Sequence, residues 1–236
     1  MATSKFYQLH SHTSRGFNWG KPVFFSNIIP RLFSSILYFP LRAVFNYFFF
    51  LEIESEVDFK NIKTPIIIAP NHASWIDPFV IGICFPFSSK LSPIHYATWW
   101  KYFYFPPFTP FLWLLGGFPV RPGLGLERSL REPIVILERG GIVGIFPTGK
   151  RTRKHSENNP PKPKRGTAYL SLKTDTPILP IKIEGHLGMK FLDVLKRKHR
   201  LKIKIGKPFY LFPRDLSRPE NLNESSNYIM HKINSL

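Results

Sequence analysis

Apolar positions along this chain recur with two periods, and the alternation between them predicts the architecture. Pro65-Ile66-Ile67-Ile68-Ala69 is a short β-branched run that reads as a strand, punctuated by Pro70 and Asn71. Asp77-Pro78 then opens the apolar segment 79–83, which reads as a helix. Residues 52–57 alternate isoleucine or valine with acidic residues and read as an edge strand. Residues 142–146 and 177–183 read as strands, and Leu201-Lys202-Ile203-Lys204-Ile205 alternates as a half-exposed one. Between them lie an amphipathic stretch up to Arg139 interrupted by Pro133, a helix over 166–173, and a polar C-terminal helix from about Asn223. Strands alternating with helices predict an α/β fold: a mostly parallel central sheet flanked by helices.

Two apolar stretches fall outside this scheme. Over residues 23–51, Ile28, Ile29, Leu32, Phe33, Ile36 and Leu37 recur at helical spacing, with Asn27, Arg31, Ser34 and Ser35 opposite, and a second apolar piece follows Pro40. Neither piece approaches the roughly 20 apolar residues that cross a bilayer. The pattern predicts two short amphipathic helices at a membrane interface, with Arg31 and Arg42 facing headgroups; a helical hairpin packed on the protein's own core is the alternative. The chain accordingly divides into 1–51, a polar tail plus membrane-associating helices, and 52–236, an α/β domain. The second stretch, 102–120, is the longest uncharged run, but Pro106, Pro107, Pro110, Pro119 and Gly116-Gly117 break it. It reads as a helix near 111–115 followed by a strand at 118–120, with its aromatic surplus either walling a site or filling a core.

Charge adds a partner to this picture. The formal net charge is +18, and residues 150–218 carry 19 Lys or Arg against 5 Asp or Glu. Such a face suits an anionic partner: a lipid surface, a phosphorylated substrate, an acidic carrier protein or nucleic acid. The 23 Phe and 5 Trp cluster apart from the basic segments, so no interleaved stacking platform is visible and nucleic acid is not expected. The single cysteine, Cys84, forms no internal disulfide and suits a reducing cytosol. Residues 1–22 contain no apolar core of a signal peptide, and residues 153–165 read as an extended basic loop.

Candidate chemistry concentrates at strand ends. His72 sits on the strand-to-helix turn Asn71-His72-Ala73-Ser74-Trp75-Ile76-Asp77, where an Asp at the helix start can reach back to one ring nitrogen and make the other a general base. His-x4-Asp alone is weak; a capping Asp beside a surface His gives the same spacing. At the end of the 142–146 strand, Pro147-Thr148-Gly149-Lys150-Arg151-Thr152 pairs a glycine turn with adjacent cations, a natural phosphate cradle unless it is a solvated charge run. No histidine cluster at metal-ligand spacing suggests a metal.

Four blocks, in order, resemble the glycerolipid acyltransferase family typified by bacterial 1-acyl-glycerol-3-phosphate acyltransferase. They are Asn71-His72-x4-Asp77; Gly116-Gly117-Phe118-Pro119-Val120-Arg121; Phe146-Pro147-Thr148-Gly149-Lys150-Arg151-Thr152, similar to the family's Phe-Pro-Glu-Gly-Thr-Arg-Ser; and the Pro180-containing strand Ile178-Leu179-Pro180-Ile181-Lys182-Ile183. The chain departs from the pattern at Thr148, where the family has Glu, and at Pro122, where a second Arg is common.

The resemblance implies transfer of an acyl group from an acyl thioester, acyl-coenzyme A or acyl carrier protein, to lysophosphatidic acid, giving phosphatidic acid, without a cofactor. It implies catalysis by His72 and Asp77 and acceptor phosphate held by Arg121, Lys150 and Arg151. Asn71, Gly117, Pro147, Thr148, Gly149 and Pro180 are supporting positions. It also implies a membrane-binding helical element, and with it peripheral or monotopic residence on the cytoplasmic side of an anionic membrane. Alternatives are a different lysophospholipid or glycerol-phosphate acceptor, or a non-catalytic basic protein binding membranes or RNA.

Overall fold

The computed structural model describes residues 28–152, 161–189, 191–212 and 215–236. The polar tail and residues 153–160 of the basic loop lie outside the described residues. The strands are β1 (Glu52–Ser55), β2 (Ile66–Pro70), β3 (Ile94–Trp99), β4 (Gly117–Val120), β5 (Ile142–Gly144), β6 (Ile178–Glu184) and β7 (Lys202–Ile205), side by side in the order β1-β7-β6-β2-β5-β3-β4. From β6 through β4 all neighbours are parallel; β7 runs antiparallel to β6 and carries β1 parallel to itself. The sheet is thus mostly parallel, as the alternation of elements predicts.

The helices are α1 (Ile28–Phe49), α2 (Asp77–Cys84), α3 (Thr109–Leu114), α4 (Leu126–Ser129), α5 (Arg131–Glu138), α6 (Gly166–Thr174), α7 (Phe191–Leu195) and α8 (Pro219–Asn234). They cover both faces of the sheet. Ile66 and Ile68 of β2 join Leu179, Ile181 and Ile203 beneath α1 and α2, while Ile67, Ala69, Val143 and Ile178 meet residues of α5, α6 and α8 on the other side. Burial on both faces is why β2 is uninterruptedly apolar instead of alternating. β7, at the margin, alternates inward Ile203 and Ile205 with the half-exposed Lys202 and Lys204.

Several boundaries differ from expectation. In place of two short helices, one 22-residue helix runs through Pro40. Proline removes the bond to the carbonyl four residues back, here Ile36. Both residues lie on the exposed side, so that carbonyl is not stranded in the core. Arg42, expected to face headgroups, donates from Nη1 to the Ile83 carbonyl at 2.6 Å, and Tyr38 donates from its hydroxyl to Phe85 O at 2.9 Å. Both contacts satisfy orphan carbonyls at the end of α2, where Pro86 stops the helix. The segment is therefore neither two helices nor a hairpin, and its second half packs on the domain, where Phe45 and Phe49 enter the core.

Pro133 does not interrupt a helix; it falls in the first turn of α5, where a missing N–H is harmless. β3, a central strand, has no counterpart in the sequence reading. Gly116 has φ +73°, and a Cβ there would come within 2.8 Å of the Ile94 carbonyl oxygen, so glycine is what lets α3 turn directly into β4 beside β3.

Because Phe49 is 5% exposed and its carbonyl accepts from the Leu201 N–H at 2.9 Å, the base of α1 is part of the core. Phe49→Ala is expected to destabilise the protein by about 3 kcal/mol. Ile36→Ala, on the exposed face, should change stability by less than about 0.5 kcal/mol. Thermal or urea unfolding of the two variants checks this.

Candidate active site

At the end of β2 the side chain of Asn71 takes the place of a strand. Its Nδ2 donates to the Ile183 carbonyl at 2.9 Å and its Oδ1 accepts from the Ile183 N–H at 2.7 Å. This reciprocal pair extends the β2–β6 ladder past Pro70 and fixes the direction in which the next residue leaves the sheet. That residue is His72, 17% exposed.

Asp77 begins α2 with Pro78 behind it, and its carboxylate folds back over the turn, wholly buried. Oδ2 accepts from His72 Nδ1 at 2.7 Å, from the Ala73 N–H at 2.8 Å and from the Ser74 N–H at 2.9 Å. Oδ1 lies 2.7 Å from Nε2 of His186, a close approach off the line of an aligned hydrogen bond. Burial pushes the carboxyl pKa up, but contacts with His186 and His72 and the Ser74 N–H more than offset it and hold the group at about 2. A carboxylate that stays charged fixes the His72 proton on Nδ1 and leaves the Nε2 lone pair free for chemistry.

The loop after β5 closes over this pair. Phe146 stacks on the His72 ring, centroids 4.0 Å apart and planes 22° from parallel, and the Thr152 N–H donates to the His72 carbonyl at 2.8 Å. Inside the loop the Gly149 N–H donates to Phe146 O at 2.9 Å and the Lys164 N–H to Pro147 O at 2.7 Å. Thr148 is 3% exposed, and its hydroxyl donates to the Lys150 carbonyl at 2.8 Å. Lys150 and Arg151 project outward, both exposed.

The other sequence-derived positions are spread along the same rim. β5 neighbours β2, so Lys150 and Arg151 emerge about one strand spacing, roughly 5 Å, from the histidine turn. Arg121 leaves β4, three spacings or about 14 Å away, and its guanidinium lies 4.6 Å over the Trp100 ring instead of against His72. Gly117 lets α3 approach β4: a Cβ there would lie 2.9 Å from the Leu112 carbonyl oxygen. Pro180 is buried in β6 opposite Ala69. Cys84 lies in the core, where burial pushes its thiol pKa well up, which takes it out of the chemistry.

Sequence reasoning missed His186, which stands 109 residues beyond Asp77 and makes no local motif with it. Its one visible signal is position, immediately after the strand of the fourth block, on a Gly185 turn.

The ends of five parallel strands thus present a histidine on a buried carboxylate, with cations beside it, at the carboxyl edge of a three-layer α/β sheet. Ligand sites of open α/β folds sit at that edge. A family model described as Acyltransferase matches residues 52–184, and the chain belongs to that family. It is 32% identical over 148 residues to the 1-acyl-sn-glycerol-3-phosphate acyltransferase of Bacillus subtilis (strain 168); the match covers 61% of this chain and 66% of that relative, just under two thirds of its length. The crystal structure of the 1-acyl-sn-glycerophosphate (LPA) acyltransferase PlsC from Thermotoga maritima shares the fold with a TM-score of 0.54 at 22% identity, covering 86% of each chain.

A carboxyl held at about 2 contributes stability that is complete above its ordinary value of 3.8 and lost as pH falls toward 2. Asp77→Asn is therefore expected to lower the unfolding free energy by about 2 kcal/mol at neutral pH, with the gap closing below pH 3. Urea titrations of both proteins across that range check it.

Proposed function

We propose that this chain transfers a fatty acyl group from an acyl thioester to the free hydroxyl of lysophosphatidic acid, giving phosphatidic acid. The observation that carries the reading is the fully buried Asp77 carboxylate on Nδ1 of the partly exposed His72. His72 Nε2 takes the proton as the acceptor hydroxyl attacks the thioester carbonyl, and Asp77 steadies the imidazolium. The tetrahedral intermediate expels the thiolate, which takes the proton back from His72. Neither a covalent acyl-enzyme nor a cofactor enters this route. The donor is acyl-coenzyme A or an acyl carrier protein, whose acidic surface would complement the basic half of the chain.

Lys150 and Arg151, one strand from the base, suit the acceptor phosphate better than Arg121, because glycerol phosphate is a short unit and Arg121 already rests on Trp100. Arg121 serves as the outer cation that admits the headgroup. The names of the Bacillus and Thermotoga proteins support lysophosphatidic acid as acceptor.

The reading includes a membrane. Residues 52–236 carry the chemistry, and α1 extends from them with Ile28, Leu32, Ile36 and Phe39 exposed along one stripe. By length and composition α1 could cross a bilayer. Its packed base, with Arg42 and Phe49 tied to the domain, favours lying in the interface instead. Trp99, Tyr102, Phe105, Phe108 and Trp113 add an exposed aromatic shelf beside it, joined through the Phe33–Phe111 contact at 6.2 Å. Such a surface belongs on the cytoplasmic face, where anionic lipids meet the basic residues.

In an acyl-transfer assay with acyl-coenzyme A and lysophosphatidic acid, His72→Ala is expected to lose at least 10³-fold in kcat while melting like the wild type, a loss of the order expected when a general base is removed. Arg151→Ala should raise the acceptor KM at least tenfold and leave the donor KM alone, with Arg151→Lys recovering part of the loss. Wild-type rates for His72→Ala would end the mechanism. Co-sedimentation with anionic vesicles checks the membrane: Leu32→Asp/Ile36→Asp should release the protein, and salt should weaken wild-type binding only in part, because apolar insertion is not screened.

A further inference from the structure

The two oxygens of Asp77 are loaded unequally. Oδ2 takes three donors, from His72, Ala73 and Ser74, whereas Oδ1 faces a single imidazole, Nε2 of His186 at 2.7 Å. His186 is 1% exposed, so the pair is sealed from water. Neither ring nitrogen makes an aligned hydrogen bond, but Nε2 has the carboxylate beside it whereas Nδ1 is buried with no polar partner at all. A proton on Nδ1 would be a donor stranded in the core, and a bare lone pair there is the cheaper state. With Nδ1 bare, the ring proton belongs on Nε2, the nitrogen that lies 2.7 Å from the carboxylate.

The route by which His186 reaches Asp77 is itself constrained. β6 lies beside β2, and Asn71 clamps its last turn through both bonds to Ile183. The chain then bends at Gly185, φ +90°, where any Cβ would collide with the Arg200 carbonyl oxygen. The Gly185 carbonyl accepts from His199 Nδ1 at 3.0 Å, and the Met189 N–H donates to the His186 carbonyl at 3.3 Å. The turn that delivers His186 is therefore held at both ends, and the clamp that aims His72 also sets the distance between the two histidines.

We propose that His186 is a positioning residue for acyl transfer: its Nε2, 2.7 Å from the Asp77 oxygen that does not face His72, holds the carboxylate in the rotamer from which Oδ2 orients the base. His186 touches no reacting atom and acts only through Asp77. This rests on the acyl-transfer reading above.

The test uses the full chain with acyl-coenzyme A and lysophosphatidic acid. His186→Leu removes the donor, and His186→Gln restores an N–H at a similar distance from the backbone. Leu is expected to lower kcat at least tenfold while both KM values stay within twofold, and Gln to recover at least a third of wild-type kcat. In an Asp77→Asn background, His186→Leu should lower kcat no further, because the effect has no path except that carboxylate. Leu with kcat within twofold of wild type, Gln as slow as Leu, or an undiminished Leu effect on Asp77→Asn would each overturn the proposal. Imidazole ¹⁵N shifts give a readout independent of turnover and of whether the Leu variant folds: they must place the His186 proton on Nε2, and a proton on Nδ1 would refute the assignment. Wild-type protein without acyl-transfer activity would sink the reading on which this rests, while the ¹⁵N shifts would still judge the His186–Asp77 contact.

Discussion

A carboxylate with no solvent exposure sits at the centre of this molecule, and it constrains everything near it. Leaving such a charge unpartnered in the interior would cost several kcal/mol, so the fold must bring donors to Asp77 from wherever it can. Three come from the turn itself, through the His72 ring and two backbone N–H groups. A fourth contact comes from the neighbouring strand β6, after which His186 brings its Nε2 to 2.7 Å from Oδ1. Asn71 and Gly185 make sense only in relation to that requirement. One ties the ends of β2 and β6 together, and the other permits the bend that follows.

The same carboxylate explains why the site can be rigid without being closed. His72 is fixed on three sides: Nδ1 by Asp77, one ring face by Phe146, and its backbone carbonyl by Thr152. None of these partners uses Nε2. A base whose ring is locked and whose lone pair remains accessible has its orientation settled before substrate arrives, the condition under which positioning contributes most to rate. The sheet supplies the frame, since its central strands are buried on both faces and packed against helices on each side.

Much of this was legible in the sequence because it is local. The strand at 66–70 announced itself by continuous β-branched residues, and the His–Asp pair lies within one turn. What escaped was nonlocal or carried by a side chain doing a strand's work. β3 begins after Ser92-Pro93 and mixes His95, Tyr96 and Thr98 among apolar neighbours, so neither period fits it. The single helix α1 was hidden by Pro40, whose penalty depends on which face the orphaned carbonyl occupies, a fact that only packing decides. Arg42 read as a headgroup cation because nothing nearby in sequence offers it a partner; its partner is the end of a helix some forty residues on. His186 escaped for the same reason.

Thr148 shows how one departure from a family pattern can be absorbed. A carboxylate at that position would be buried in the turn and aimed toward the Lys150 carbonyl, where the threonine hydroxyl now donates. An acceptor facing an acceptor is repulsive, so a glutamate would need a different loop conformation or a cation folded back onto it, and Lys150 or Arg151 would be the nearest to oblige. With threonine the turn satisfies itself, and both cations stay directed outward. Relative to the family pattern the turn therefore carries one negative charge fewer beside Lys150 and Arg151. On the proposed mechanism this shifts phosphate binding toward the loop beside β5 and lightens the demand on Arg121, which can remain stacked on Trp100 at the aromatic edge.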